Sequence, residues 1–259
     1  MNVHFPSPIA FWIGSWPVRW YGLSYGAGII LSWLYWRICV KAGRFPGISV
    51  KDVDGAINWS MAGIVIGGRL GHVLLYYPRY YWSHPLEIFE VWKGGMAFHG
   101  GFLGALCALW IYCRRHHIPV LTFFDCIVCG APLGLFLGRL ANFINQEVYG
   151  RPSQVPWAVV FPEVDTLTRH PSQLYEAALE GVGLFTLLAV ITWGSFKRWP
   201  GQLAAIFCTG YGISRWICEY FREPEGMLAG ISMGQWYSLP FIVLGGIWYA
   251  RCIFYSQKN

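Results

Sequence analysis

Across 259 residues the chain is 55% hydrophobic and only 12% charged, against about 25% charged residues in a soluble domain, which excludes water as the main solvent of its fold. Its net charge of +6 would suggest nucleic acid in a soluble protein, but in so apolar a chain the position of the basic residues carries the information, and no nucleic-acid partner is expected. The eight cysteines fall within or beside apolar stretches, which argues against a disulfide framework; Cys126 and Cys129 form a C-x-x-C, yet zinc takes four ligands and no second pair stands at a matching distance, so neither metal nor cofactor is expected.

Met1 to Arg19 lacks the basic start and clean apolar run of a cleavable signal peptide. Pro6, Pro8 and Pro17 break any helix there, and Phe5, Phe11, Trp12 and Trp16 suit an interfacial segment lying against a membrane surface. Seven apolar stretches follow, at 20–40, 55–77, 96–113, 122–144, 174–193, 202–221 and 233–255, each near the roughly 20 residues that cross a ~30 Å hydrocarbon core as a helix. The fold class expected is an all-α integral membrane protein with seven transmembrane helices. No repeat of fixed period appears, and 1–259 reads as a single polytopic domain with a loop or arm over 146–171.

Orientation follows from the basic clusters. Arg37, Lys41, Arg44 and Lys51 follow the first stretch, Arg114 and Arg115 the third, Lys197 and Arg198 the fifth, and Arg251 and Lys258 the seventh. All fall on one side, which the positive-inside rule makes cytoplasmic, with the N-terminus outside. Helices in lipid gain little from mutual hydrophobic burial, so small residues at four-residue spacing mark packing faces. Gly63, Gly67 and Gly71, Gly100 and Gly104, and Gly130, Gly134 and Gly138 supply such rows, which reads as a central group of the second, third and fourth stretches.

An arginine near the bilayer centre costs about 2.5 to 3.5 kcal/mol, so each one kept there needs a reason. Arg69, Arg139 and Arg215 lie late in stretches that run outward, which places them in the outer half; His99, Tyr21 and Asn142 fall at the same level. Each has a bland alternative. Arg215 and Glu219 are four apart and can neutralise each other, Arg69 can hold backbone carbonyls, and His99 alone suits a hydrogen-bonded packing residue. Three cations at one depth with too few nearby acids would repel each other unless an anion sits among them, and in an outer leaflet that anion is a phospholipid phosphate, which guanidinium binds bidentately.

The run Gly138-Arg139-Leu140-Ala141-Asn142-Phe143-Ile144-Asn145-Gln146-Glu147-Val148-Tyr149-Gly150 closely resembles the signature of the prolipoprotein diacylglyceryl transferase family. Arg19 to Gly22, Gly68-Arg69, Gly94 to Gly101, His170 to Glu176, Arg215 to Arg222 and Ile231 to Gln235 resemble that family's blocks in order and spacing, from near residue 5 to near residue 250; the stretch from Pro156 to Arg169 looks shorter than in some members. The resemblance implies transfer of the diacylglyceryl group of phosphatidylglycerol to the lipobox cysteine thiol of a prolipoprotein, giving a thioether and glycerol 1-phosphate, in a bacterial cytoplasmic (inner) membrane. It implies Arg139 and Arg215 as essential phosphate-binding residues, His99 as a catalytic candidate, and Tyr21, Asn142, Glu147, Gly150, Tyr211 and Glu219 as supporting residues; Arg69 joins the substrate-binding candidates by its place in an apolar stretch.

For thiol activation either His99 or Tyr21 can serve as general base, or His99 can orient the lipid; His170 begins a loop and reads as structural. No G-x-S-x-G elbow lies beside Gly100-Gly101, and a serine hydrolase is set aside. A phospholipid or anion transporter also needs intramembrane arginines, but the inverted repeats and midplane sites of transporters are not seen. Another phosphatidylglycerol-using transferase would differ only in its acceptor.

Overall fold

The prolines that exclude a helix from the N-terminal stretch leave it as a hairpin. β1 (Ile9–Ile13) and β2 (Trp16–Arg19) pair antiparallel around Gly14 and Ser15, with Trp12 and Trp16 at the tip 60% and 79% exposed. The computed structural model describes residues 5–196 and 198–256; Met1 to His4 of the expected interfacial segment, and Lys197 and Lys258 of the basic clusters, lie outside the described residues.

Each expected apolar stretch is helical. The helices are α1 (Trp20–Lys41), α2 (Val50–Gly71, continued by a wide turn over His72–Tyr76), short α3 (Pro78–Ser83), α4 (Phe98–Arg115), α5 (Val120–Ile144), α6 (Ser172–Glu176), α7 (Leu184–Trp193), α8 (Gln202–Cys218) and α9 (Met233–Ser256). Between α6 and α7 the helix runs on as a wide-turned segment, Ala177–Gly183. Among the described residues four segments are long and apolar enough to cross a membrane by length and composition: Trp20–Lys41, Val120–Ile144, Ser172–Trp193 and Met233–Phe254. The second stretch becomes helical earlier than its hydropathy suggests. Ser49 caps α2, receiving the Asp52 amide at 3.3 Å while Asp52 Oδ2 accepts the Ser49 amide at 2.7 Å, so the polar residues Lys51 to Asp54 form the first turns.

The fold is mainly helical, in line with the all-α expectation, and among the described residues adds three small antiparallel pairs: β1–β2, then β3 (Val159–Val160) with β4 (Thr168–Arg169), and β5 (Met227–Leu228) with β6 (Ile231–Ser232). The two-residue strands of the last two pairs carry too little periodicity to be seen in a sequence.

Residues Val40–Phe123 form one compact unit and Met1–Cys39 with Phe124–Asn259 the other. In the first, α2 and α4 meet backbone to backbone through the glycine rows. A Cβ on Gly63 or Gly67 would fall on Gly104 or Gly100, and one on Gly71 would lie 2.8 Å from the Gly100 Cα. Gly67→Ala is therefore expected to cost about 1–3 kcal/mol by overpacking. Thermal unfolding in detergent measures this; an unchanged midpoint would mean that the two helices do not meet at that row.

In the second unit the glycine row of α5 finds its partner in α1. Gly28 approaches the Gly134 Cα, Ser32 Oγ donates to the Gly130 carbonyl at 2.8 Å, and Trp36 Nε1 donates to the Ile127 carbonyl at 3.0 Å. Asp125, buried on α5, anchors the start of α8 by accepting the Gly201 and Ala204 amides at 2.7 and 2.8 Å. The C-x-x-C has a packing role: Cys126 and Cys129 are buried thiols, and Cys129 Sγ lies 3.2 Å from Thr192 Oγ1.

Candidate active site

Gly181 has no side chain where Phe136 of α5 presses against it, so α5 and the wide-turned segment lie close. Three residues beyond Phe136 stands Arg139. Two carboxylates four residues apart, Glu176 and Glu180, reach it from that segment and its preceding turn; wide helical turns of this kind recur at functional sites. Arg139 Nε and Nη2 donate to Glu180 Oε2 at 3.1 and 3.0 Å, and Nη1 lies 2.9 Å from Glu176 Oε2. Arg215, in the last turn of α8, donates through Nη1 to the other oxygen of Glu176, Oε1, and lies 2.8 Å through Nη2 from Glu219 Oε2. Arg222 brings its Nη1 to 3.7 Å from Glu176 Oε1 and pairs with the exposed Glu225 at 2.6 Å.

This corrects the expectation that the cations lack nearby acids. Glu176 and Glu180 are fully buried and Glu219 nearly so, and all three face the arginines. An unpaired guanidinium in an apolar interior is far costlier than a paired one, so these carboxylates make the retention of Arg139 and Arg215 possible. The local pair Arg215–Glu219 was open to sequence reasoning through its spacing; Glu176 and Glu180 were missed as members of the cluster, because only the approach of α5 to the 172–183 helix brings them to Arg139, and Arg222 was missed because its contact with Glu176 is also a tertiary one.

Tyr211, one turn before Arg215, lies within electrostatic reach of Arg139, Arg215, Glu176 and Glu180 and packs edge-on against Phe241. Tyr21 hydrogen bonds through its hydroxyl to Tyr25 at 3.0 Å, and Tyr25 in turn is within electrostatic reach of Arg139 and Glu147. Tyr25, one helical turn from Tyr21, is a further residue that sequence reasoning passed over. Asn142 Nδ2 donates to Glu147 Oε2 at 3.2 Å across a strained bend in which Gln146 and Val148 hold φ of 56° and 58°. Gln173 and Ser172 fix that bend by donating to the Glu147 and Val148 carbonyls at 2.7 and 3.0 Å.

Gly150 bridges Arg222, donates its amide to the His170 carbonyl at 3.1 Å and accepts from Arg169 Nη1 at 3.0 Å; a Cβ there would lie 2.7 Å from the Phe221 carbonyl. Arg169 ties the loop together through Asp165 and Glu223, and its guanidinium holds the Asp165 carboxyl below the usual carboxylate range. His170, expected to be structural, has Nδ1 3.1 Å from the Tyr175 hydroxyl and its ring on Phe221, and partial burial lowers its affinity for a proton.

Arg69 and His99 belong to the Val40–Phe123 unit. The buried Arg69 guanidinium is given to carbonyls: Nε donates to Ile88 at 2.8 Å, Nη2 to Glu87 at 2.5 Å, and Nη1 to Gly94 at 2.6 Å and Gly95 at 3.3 Å. Its role among carbonyls was the bland alternative to a ligand role. The Gly94-Gly95 turn needs glycine, with φ of 84° and 77°, and a Cβ on Gly95 would press on the His72 ring and on Arg69 Nη1. His99 is exposed on the first turn of α4, beyond the segment that Arg69 holds. Arg69→Ala would free four carbonyls and is expected to lower the thermal midpoint and reduce turnover severalfold without abolishing it. An Arg69→Ala protein with no turnover but an unchanged midpoint would show that this guanidinium has a direct part in the chemistry.

Apolar helices of membrane-spanning length and a buried arginine–carboxylate cluster define a multi-pass, mainly helical membrane protein. Residues 8–251 match the family described as prolipoprotein diacylglyceryl transferase. The phosphatidylglycerol--prolipoprotein diacylglyceryl transferase of Rhodopseudomonas palustris is 47% identical over 256 residues, covering 94% of this chain and 89% of that protein. Proteins of the same name from Nitrobacter winogradskyi and Zymomonas mobilis are each 46% identical, over 92% and 93% of this chain and 85% and 89% of theirs. The chain belongs to the prolipoprotein diacylglyceryl transferase family.

Proposed function

We propose that this chain transfers the diacylglyceryl group of phosphatidylglycerol to the lipobox cysteine of prolipoproteins, the first step of lipoprotein maturation. The observation that carries the reading is the convergence of Arg139 and Arg215 on the two oxygens of one carboxylate, Glu176, within a chain that matches the family over residues 8–251. Two guanidiniums spaced by a carboxylate are spaced for a phosphate, whose oxygens have similar geometry.

In the reaction the cysteine thiol loses its proton to a base, the sulfur forms a bond to the terminal glycerol carbon, and the carbon–oxygen bond to phosphate breaks. The electron pair goes to the departing glycerol 1-phosphate. Arg139 and Arg215 stabilise the charge that builds there, often the largest single contribution to such catalysis. Asn142, Glu147, Gly150, Tyr211 and Glu219 keep those arginines and the adjoining bend in place, while His99 or Tyr21 takes the thiol proton. The basic clusters support seven spans with the N-terminus outside and the C-terminus in the cytoplasm, the whole chain acting as one polytopic domain of the inner membrane with its site in the outer leaflet.

Purified protein, labelled phosphatidylglycerol and a peptide with a lipobox cysteine test the reading. Thioether formation with release of glycerol phosphate is expected. Lipid moved across vesicles while the peptide gains no mass would overturn it in favour of transport.

A further inference from the structure

The arginine cluster is balanced in charge before any ligand arrives. Arg139, Arg215 and Arg222 face Glu176, Glu180 and Glu219, so three cations meet three buried carboxylates, and the exposed Glu225 adds a fourth on Arg222 from the solvent side. A lipid phosphate diester brings one further negative charge into a site from which water is largely excluded. Like charges that close cannot all remain ionised cheaply, and the least expensive relief is to protonate the carboxylate held by the fewest cations.

The three carboxylates are not held alike. Glu176 faces two arginines through both oxygens and a third at longer range. Among the described residues Glu180 pairs with Arg139 alone and through one oxygen; its buried Oε1 has neither a hydrogen bond nor an ion pair there, whereas the buried Oε2 of Glu176 and of Glu219 each face an arginine. Glu219 also faces one arginine, but at the end of α8, with its carboxylate against Gly234. The charged and titratable groups around Glu180 are Arg139 on α5, Glu176 on its own helix, and Tyr211, Arg215 and Cys218 on α8. A phosphate on Arg139 weakens the one ion pair that Glu180 makes among the described residues, and Oε1 offers a place for a proton.

We propose that binding of a phosphate-bearing ligand at Arg139 and Arg215 is coupled to uptake of one proton from solvent, and that Glu180 is the group that takes it. The proposal rests on the reading of these arginines as the phosphate site. Lipid affinity then falls as pH rises, and the bound state holds a neutral carboxyl beside the departing phosphate.

The test is calorimetric titration of the full chain in nanodiscs with phosphatidylglycerol, in buffers of different ionisation enthalpy. The expected result is uptake of about one proton per lipid bound, and a Kd that rises about tenfold per pH unit once Glu180 is ionised in the free protein. Glu180→Gln is expected to bind the lipid with uptake near zero and a flat pH dependence. Binding without uptake by the unsubstituted protein, or undiminished uptake in Glu180→Gln, would overturn the proposal, as would loss of uptake in Glu219→Gln alone. If Glu180→Gln does not fold, the buffer and pH dependence of the unsubstituted protein still decides.

Glycerol 1-phosphate titrated in parallel identifies the source of the phosphate. Uptake with both ligands assigns the coupling to the phosphate itself, and uptake with the lipid alone assigns it to the intact lipid; both support it. Arg139→Ala separates the two readings: if it still binds lipid normally, the phosphate site itself is wrong, whatever the proton count.

Discussion

Arg139→Ala and Arg215→Ala are each expected to abolish turnover, with kcat/KM falling by at least about 10²–10³, the loss of roughly 2.7–4 kcal/mol that accompanies removal of one group stabilising a developing oxyanion. The structure supplies a competing cause for such a loss. Loss of the Arg139 guanidinium leaves Glu180 with no ion-pair partner among the described residues and Glu176 with one fewer, both fully buried, and stranded buried charge costs about 3–5 kcal/mol of stability. Two companion variants separate the causes. Arg139→Ala/Glu180→Gln restores neutrality and is expected to recover the thermal midpoint but not turnover. Arg139→Lys keeps the charge but not the planar fork that reaches Glu180 through Nε and Nη2, and is expected to stay at least about tenfold impaired, because an ammonium does not reproduce bidentate recognition. Turnover that returns with the midpoint in the double variant would make Arg139 a structural residue and remove the phosphate clamp.

These residues differ in how far the sequence discloses them. Arg139 and Arg215 stand out because a cation in an apolar stretch is costly wherever it points, so its presence alone signals a requirement. The Arg215–Glu219 pair is legible too, since a four-residue spacing on a helix fixes neighbours without tertiary knowledge. Glu176 and Glu180 fall at the opposite extreme. They lie 37 and 41 residues from Arg139, and which face of their helix meets α5 depends on a close approach at Gly181 and on a wide-turned stretch that shifts the helical phase. The glycine rows show the same limit: their spacing marks a packing face, but not that the row on α5 meets α1. Arg69 was visible as an anomaly while its use, four carbonyls of an irregular 87–95 segment, was one of two open alternatives.

The residue on which these contacts converge leads to the second large effect. Glu176 is the only carboxylate among the described residues that contacts both Arg139 and Arg215, one with each oxygen, and it does so with no exposure to solvent. It therefore fixes the distance between the two guanidiniums as well as balancing them. Glu176→Gln keeps the shape but offers one carbonyl oxygen where two carboxylate oxygens were engaged, and its amide turns a donor towards an arginine. The expected result is a loss of about 3–5 kcal/mol in stability, as for a buried ion network deprived of one partner, and a fall in kcat/KM of about 10² that appears in kcat more than in KM, because a misplaced guanidinium fails most where the phosphate charge has grown. Glu176→Asp preserves the charge but withdraws the carboxylate by one methylene, so it cannot reach both arginines at once. If charge balance were all that mattered, the aspartate variant would recover both stability and turnover. If Glu176 sets the spacing, it recovers stability in part and turnover hardly at all, and an active, stable Glu176→Gln would show that the arginines hold their positions without it.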